Sequence, residues 1–226
     1  MAVIQDPVNL SLQAIDAIFR AARVSHRPLD YGSLGHYRLS MATGTIGAAL
    51  AANAELFQFR WTDATRLAVI QKILISAGAN VAASAAALVT LEATIARSFT
   101  AAGTGGATAT LTTNNQKVRT TGMGTTLLGE ARIATTAALG AGTKTLDAQG
   151  IGNCTFGIGT GAITTSHLLW LINKVDLLEV DADGSVHPVI LATNEGFVVK
   201  NGATAWPAAM TWALGVTVVW AEVATY

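Results

Sequence analysis

Between residues 211 and 220 the side chains alternate with a period of two. Trp212, Leu214, Val216, Val218 and Trp220 fall on one side, and Thr211, Ala213, Gly215, Thr217 and Val219 on the other. Only an extended chain sends successive side chains to opposite faces. An apolar row at this spacing, closed at both ends by tryptophan, therefore specifies a strand with one face in a core. The same period recurs at Glu55–Trp61, where Phe57, Phe59 and Trp61 oppose Leu56, Gln58 and Arg60. It returns at residues 89–95, with Val89, Leu91, Ala93 and Ile95 against Thr90, Glu92 and Thr94. Residues 67–76 are apolar on both faces, as in a strand covered on both sides.

Turn chemistry separates further strands. Residues 130–137 read as a short strand with Gly140-Ala-Gly142 as the turn after it. Residues 168–180 have both helical and extended character. The Asp181-Ala-Asp-Gly184 turn signal and the apolar Val189-Ile-Leu191 beyond it favour a strand. Asn194-Glu-Gly196 followed by Phe-Val-Val reads as another turn and strand. The total is about eight strands with no regular alternation of strands and long helices, which predicts a mainly β, antiparallel β-sandwich over residues 41–226. Residues 81–88 fit a short helix or a loop. Residues 100–129 are mostly Gly, Thr, Ala and Asn, and read as a long loop that cannot bury enough to order itself alone. Residues 1–40 read as an N-terminal arm. Asp6-Pro7 with Leu12, Ile15, Phe19 and Ala22 fits a helix, and Ala17, Phe19 and Ala21 fit an extended chain equally well.

Charge is scarce. Charged residues are 12% of the chain against 51% hydrophobic, so they cannot cover its exterior, and uncharged surface left over is expected to lie against neighbouring subunits. Fourteen basic and fourteen acidic residues cancel, which leaves no bulk field for a polyanion. Arg20, Arg23, Arg27 and Arg38 face only Asp30, but no aromatic platform accompanies them, so they read as a solvated arm and no nucleic acid is expected. Three charge-free windows, residues 73–91, 148–173 and 201–221, are each long enough to span a bilayer, which takes about 20 apolar residues. Each is broken by Gly, Asn, Ser or Thr, so no membrane span is expected. The N-terminus lacks the basic and apolar pattern of a signal peptide.

Catalytic and metal-binding patterns are wanting. Gly157-Ile-Gly159-Thr-Gly161 has the glycine density of a phosphate loop but not its spacing, and reads as a flexible loop. Glu179-Val-Asp-Ala-Asp-Gly184 opens like a calcium loop, yet its twelfth position is Ile190 where a bidentate Glu is needed. His26, His36, His167 and His187 are scattered, and Cys154 stands alone as a small buried hydrophobe. The expectation is a chain that is not an enzyme, with no catalytic, cofactor-binding or metal-binding residues and no cofactor.

Five stretches taken together carry a resemblance. They are Gly35-His-Tyr-Arg38, Glu55–Trp61, Thr136-Ala-Ala-Leu-Gly-Ala-Gly-Thr-Lys-Thr-Leu-Asp147, Asn194-Glu-Gly-Phe-Val-Val199 and Trp212-Ala-Leu-Gly-Val-Thr-Val-Val-Trp-Ala-Glu222. The set, across residues 35–223, resembles structural virion proteins of tailed bacteriophages, in particular capsid cement or decoration proteins. That resemblance implies a β-sandwich or jelly-roll subunit, a homotrimer, made in the host bacterial cytoplasm and seated on the outer capsid surface against the major capsid protein. It implies no catalytic residue. On this reading residues 1–40 and the loop at 100–129 make the intersubunit contacts. The alternative is a receptor- or glycan-binding tail or baseplate component, in which exposed aromatics such as Trp206 or Tyr31 stack on sugars.

Overall fold

The computed structural model describes residues 35–47, 49–112, 115–118, 122–160, 169–180 and 187–226. Among them every regular element is a strand: β1 (His36–Ala42), β2 (Glu55–Trp61), β3 (Leu67–Val81), β4 (Ala87–Ala101), β5 (Ala107–Thr108), β6 (Leu128–Ile133), β7 (Thr143–Leu146), β8 (Gly152–Ile158), β9 (Leu169–Glu179), β10 (Val189–Leu191), β11 (Glu195–Asn201) and β12 (Thr211–Val223). Residues 82–86 are a connection between β3 and β4, not a helix. The sheets are antiparallel throughout. One runs β1-β12-β3 with β9 and β10 both on the far edge of β3; the other runs β5-β6-β2-β11-β4 with β7 and β8 both on the far edge of β4. The mainly β, antiparallel sandwich expected from the alternation is the observed architecture.

The period of two explains the packing. Trp212, Leu214, Val216, Val218 and Trp220 are all buried on the inner face of β12, and Phe57, Phe59 and Trp61 are buried on β2. The sheets meet through aromatics: Phe59 stacks on Phe197 of its own sheet at 5.1 Å and meets Trp220 of the other edge-on at 5.3 Å. Tyr37 lies along the opposite side of Trp220 at 5.5 Å.

Pairing along the chain is nested. β1 pairs with β12, β2 with β11, β3 with β9 and β10, and β4 with β7 and β8. Strands in each nested pair belong to one sheet, and successive pairs alternate between the two sheets until the innermost turn. The strand count exceeds eight because β1, β5, β7 and β8 join the strands read from alternation and turn signals.

The expected loop at 100–129 stays mostly irregular among the described residues, with β5 its short strand, and what is corrected is its need of a partner. Its described residues are held by the chain itself. Ala109 N–H donates to Ala131 O at 2.8 Å, Arg38 N–H to Gln116 O at 2.7 Å, and Val118 N–H to His36 O at 3.0 Å, so the segment borders β1. On the outside of the β2 sheet, Gln58 donates to Glu55 at 2.6 Å and to Gly140 O at 2.9 Å, and accepts from Gly103 N–H at 2.8 Å. Lys144, its side chain 2% exposed, pairs with Glu55 at 2.8 Å. Gly103 is needed there, because a Cβ would sit 1.7 Å from Gly140 O. A second correction concerns the loop expected at Gly157–Gly161: Gly157 and Ile158 close β8, and only Gly159 and Thr160 of its described residues are irregular. Earlier in β8, Gly152 passes so close to Leu177 of β9 that a Cβ would meet its carbonyl at 1.7 Å. The expected arm is shortened, since His36–Ala42 is a sheet strand. The helix-or-strand choice at residues 6–22 and the turn at 181–184 with its calcium-like pattern lie outside the described residues.

Because Trp220 touches aromatics of both sheets, Trp220→Ala is expected to cost about 3–5 kcal/mol, read as a lowered midpoint in denaturant unfolding.

Candidate functional site

Antiparallel pairing fixes which connections share an end of the sandwich. β1 ends, β2 begins, β3 ends, β4 begins, β8 ends, β9 begins, β11 ends and β12 begins at one end, as the registers Ala42↔Gly215, Val81↔Thr211, Ala79↔Leu169, Ala87↔Ile158 and Asn201↔Leu91 require. The described parts of four connections therefore lie together: residues 43–47 with 49–54, 82–86, 159–160 and 202–210. None of the four contains Asp, Glu, Lys or Arg. The three charge-free windows are explained by this geometry: each is a pair of strand halves, or a loop and its strand, centred on the same end. Residues 43–54 add a fourth uncharged connection that the window analysis passed over.

The end is built rather than loose. Trp206 N–H donates to Leu50 O at 2.9 Å, Asn53 N–H to Gly202 O at 2.9 Å, Ser84 N–H to Ala208 O at 2.9 Å, and Ile46 N–H to Trp212 O at 2.8 Å. Trp206 stacks face to face on Trp212 at 3.9 Å, with Phe156 edge-on at 5.8 Å, and its indole N–H donates to Asn201 at 2.8 Å. Asn201, fully buried, returns two bonds of 2.9 Å to Ala51 O and Thr204 O. Trp206 is thus 3% exposed, which corrects its expected role as a sugar-stacking platform; Tyr31 lies outside the described residues.

Above this floor most exposed positions are small, among them Gly44, Gly47, Ala51, Ala85, Ala203 and Ala208, with the uncharged polar Asn53 and Thr204 also exposed, and they are flanked by Val81 at 44% and Leu88 at 69% exposure. Ala49 and Ala209 sit at φ 61° and 67°, in the left-handed region where a Cβ crowds the backbone at a cost of about 1 kcal/mol or more. Such a face loses no charge solvation when covered, and its short side chains lose little rotamer entropy.

Charged groups are gathered elsewhere and mostly paired. Arg97 bridges Asp147 at 3.2 Å and Glu195 at 2.6 Å, Lys72 bridges Asp176 at 3.4 Å and Glu179, and Glu130 receives Arg132 at 2.7 Å. At the end opposite the uncharged loops, Asp63 accepts from Thr65 N–H, Thr65 Oγ1 and Arg66 N–H, each at 2.8 Å, and the Thr65 bonds foremost hold its carboxyl below the ordinary range. Glu222, 1% exposed, ties the strap at 122–128 to β12: its Oε1 accepts from Thr126 at 2.6 Å and Leu127 N–H at 2.9 Å, while Oε2 has no partner. Burial pushes this carboxyl up, and burial together with Glu222 pushes the Tyr37 phenol to about 12.

Burial raises the Cys154 thiol, which disfavours a thiolate nucleophile. His36 bonds Gln71 at 2.6 Å and His187 rests edge-on against Tyr226 at 5.2 Å; His26 and His167 lie outside the described residues. Among the described residues no group of three His, Cys, Asp or Glu is placed to hold a metal, and no helix is long and apolar enough to cross a membrane. No protein-family model, curated protein or solved structure matches the chain.

Two outcomes follow from these environments. Glu222 has a raised carboxyl, so its contribution favours the fold below the ordinary glutamate range and is lost as pH rises through the folded value. Glu222→Gln is therefore expected to raise the melting temperature at neutral pH, with the gap to wild type closing as the solution is acidified. Ala209→Gly, which relieves a left-handed alanine, is expected to stabilise by up to about 1 kcal/mol in chemical denaturation.

Proposed function

We propose that this chain is a non-enzymatic structural virion protein of a tailed bacteriophage. It acts as a capsid cement or decoration subunit, binding the outer capsid lattice and stabilising junctions between capsomers. The observation that carries the reading is the uncharged, tightly tied end of the sandwich. The described parts of four connections far apart in sequence converge there, and none of the four contains Asp, Glu, Lys or Arg. A free surface of that kind gains nothing in solubility, whereas a protein partner covers it at little desolvation cost.

The nested pairing supports the same reading at the level of fold. A chain folded as one long hairpin and wound so that successive pairs alternate between sheets is the arrangement of a jelly roll. The five stretches that resemble phage decoration proteins fall on or beside β1, β2, β7, β11 and β12, and so share this framework. The major capsid protein is the partner in this proposal, and a homotrimer is the assembled form. With His36–Ala42 inside a sheet and the strap at 107–118 bound to its own chain, contact with the lattice falls to the uncharged end and to residues 1–34. The glycan-binding alternative loses its main support with Trp206 buried.

The test is addition of purified protein to particles stripped of it, followed by sedimentation. Wild type is expected to saturate the particles in lattice-scale copy number and to raise their resistance to heat. Ala85→Glu and Ala208→Glu, at exposed positions of the uncharged end, are expected to leave the melting temperature of the free protein within about 0.5 kcal/mol equivalent while lowering occupancy at least tenfold. Unchanged occupancy in both variants, or a copy number of a few per particle, would overturn the proposal.

A further inference from the structure

At the rim of the uncharged end, three side chains from three elements meet. Lys200, at the end of β11, is 9% exposed and donates from Nζ to Asn53 Oδ1 at 3.0 Å. Its ammonium also pairs with Glu92 of β4, directly opposite it in the register. The backbone around the three is fixed. Asn53 adopts φ 58°, its N–H donates to Gly202 O at 2.9 Å, and Asn201 N–H donates to Ala54 O at 2.9 Å. One amine is thus held by the fold against both a carboxamide and a carboxylate.

We propose that Lys200 and Asn53 become joined by a side-chain amide bond, with Glu92 as the proton carrier. Glu92 takes a proton from the Lys200 ammonium, and the freed amine attacks Asn53 Cγ. The C–N bond to Lys200 forms and the bond from Cγ to Nδ2 breaks; the departing nitrogen takes up the proton held by Glu92 and the second proton that the Lys200 nitrogen sheds on becoming an amide. It leaves as ammonium, Glu92 is again a carboxylate, and no oxidant, cofactor or second enzyme is required. Fixed proximity supplies the driving arrangement, since well-oriented intramolecular partners reach effective concentrations of about 10⁵–10⁸ M. The bond ties β11, and with it the middle of the β2 sheet, to the connection that leads from β1 into β2. Asn201, next in sequence, is not the acceptor: its amide is already committed to Ala51 O, Thr204 O and the Trp206 indole.

The test is the intact mass of the denatured full-length chain, with peptide mapping. The expected mass is that of the sequence less one ammonia, with trypsin unable to cut after Lys200 and a branched peptide joining the segments that hold Asn53 and Lys200. Lys200→Arg and Asn53→Ala are expected to restore the unmodified mass, and Glu92→Gln to slow bond formation by about 10²–10⁴-fold. An unmodified wild-type mass would sink the proposal. So would ammonia loss mapped to Asn201-Gly202, where succinimide formation produces the same change in mass. The wild-type measurement decides the matter even where a variant fails to fold.

Discussion

β12 is the member on which the first sheet depends. It is hydrogen-bonded on one side to β1 over His36–Ala42 and on the other to β3 from Leu67 to Val81. Its inner face supplies Trp212 and Trp220, one at each end of the core. Trp212 carries the Trp206 stack beneath the uncharged loops, and Trp220 carries the Tyr37 and Phe59 contacts between the sheets. Its outer face is Thr, Ala, Gly, Thr and Val, which leaves a shallow hollow of about 410 Å³ bordered by Arg38, Leu74, Lys174 and Thr217. One strand thus closes the nest, spans the core and sets the profile of the outer face.

Order in the connections follows from that frame. Residues poor in large apolar groups rarely hold a fixed shape alone, yet much of the segment at 100–129 does so here. It borrows partners from finished sheets: the edge of β1, the Glu222 carboxylate and the Gln58–Glu55–Lys144 knot. Each is a buried or half-buried polar group that would otherwise lack a partner, so strap and sheet satisfy each other. Glu222 Oε2 is the exception, and burial of the carboxyl is the reason it resists ionisation.

The two ends of the sandwich differ in kind. Asp63, Arg66, Asp147 and Glu222 lie toward one end, where carboxylates serve as turn and strap fasteners. The other end is fastened by backbone bonds, a tryptophan stack and one buried asparagine, with no ionic group in its loops. Fastening without charge keeps the outward side chains small and neutral. In the proposed role that end is the one suited to lie against a neighbour.

The alternation of side chains determined by itself where most long strands run and which face of each is buried, because a period of two admits no other regular backbone. Phe57, Phe59, Trp61, Leu91, Val216 and Trp220 were all legible this way. β8 was not, since its glycines mimic a loop and only the close passage of β9 accounts for them. Nor was the burial of Trp206, which depends on Trp212 lying beneath it. The uncharged windows were visible in sequence, but their meaning was not. Which loops share an end is decided by strand direction and pairing, and those are long-range relations that no local run of residues contains.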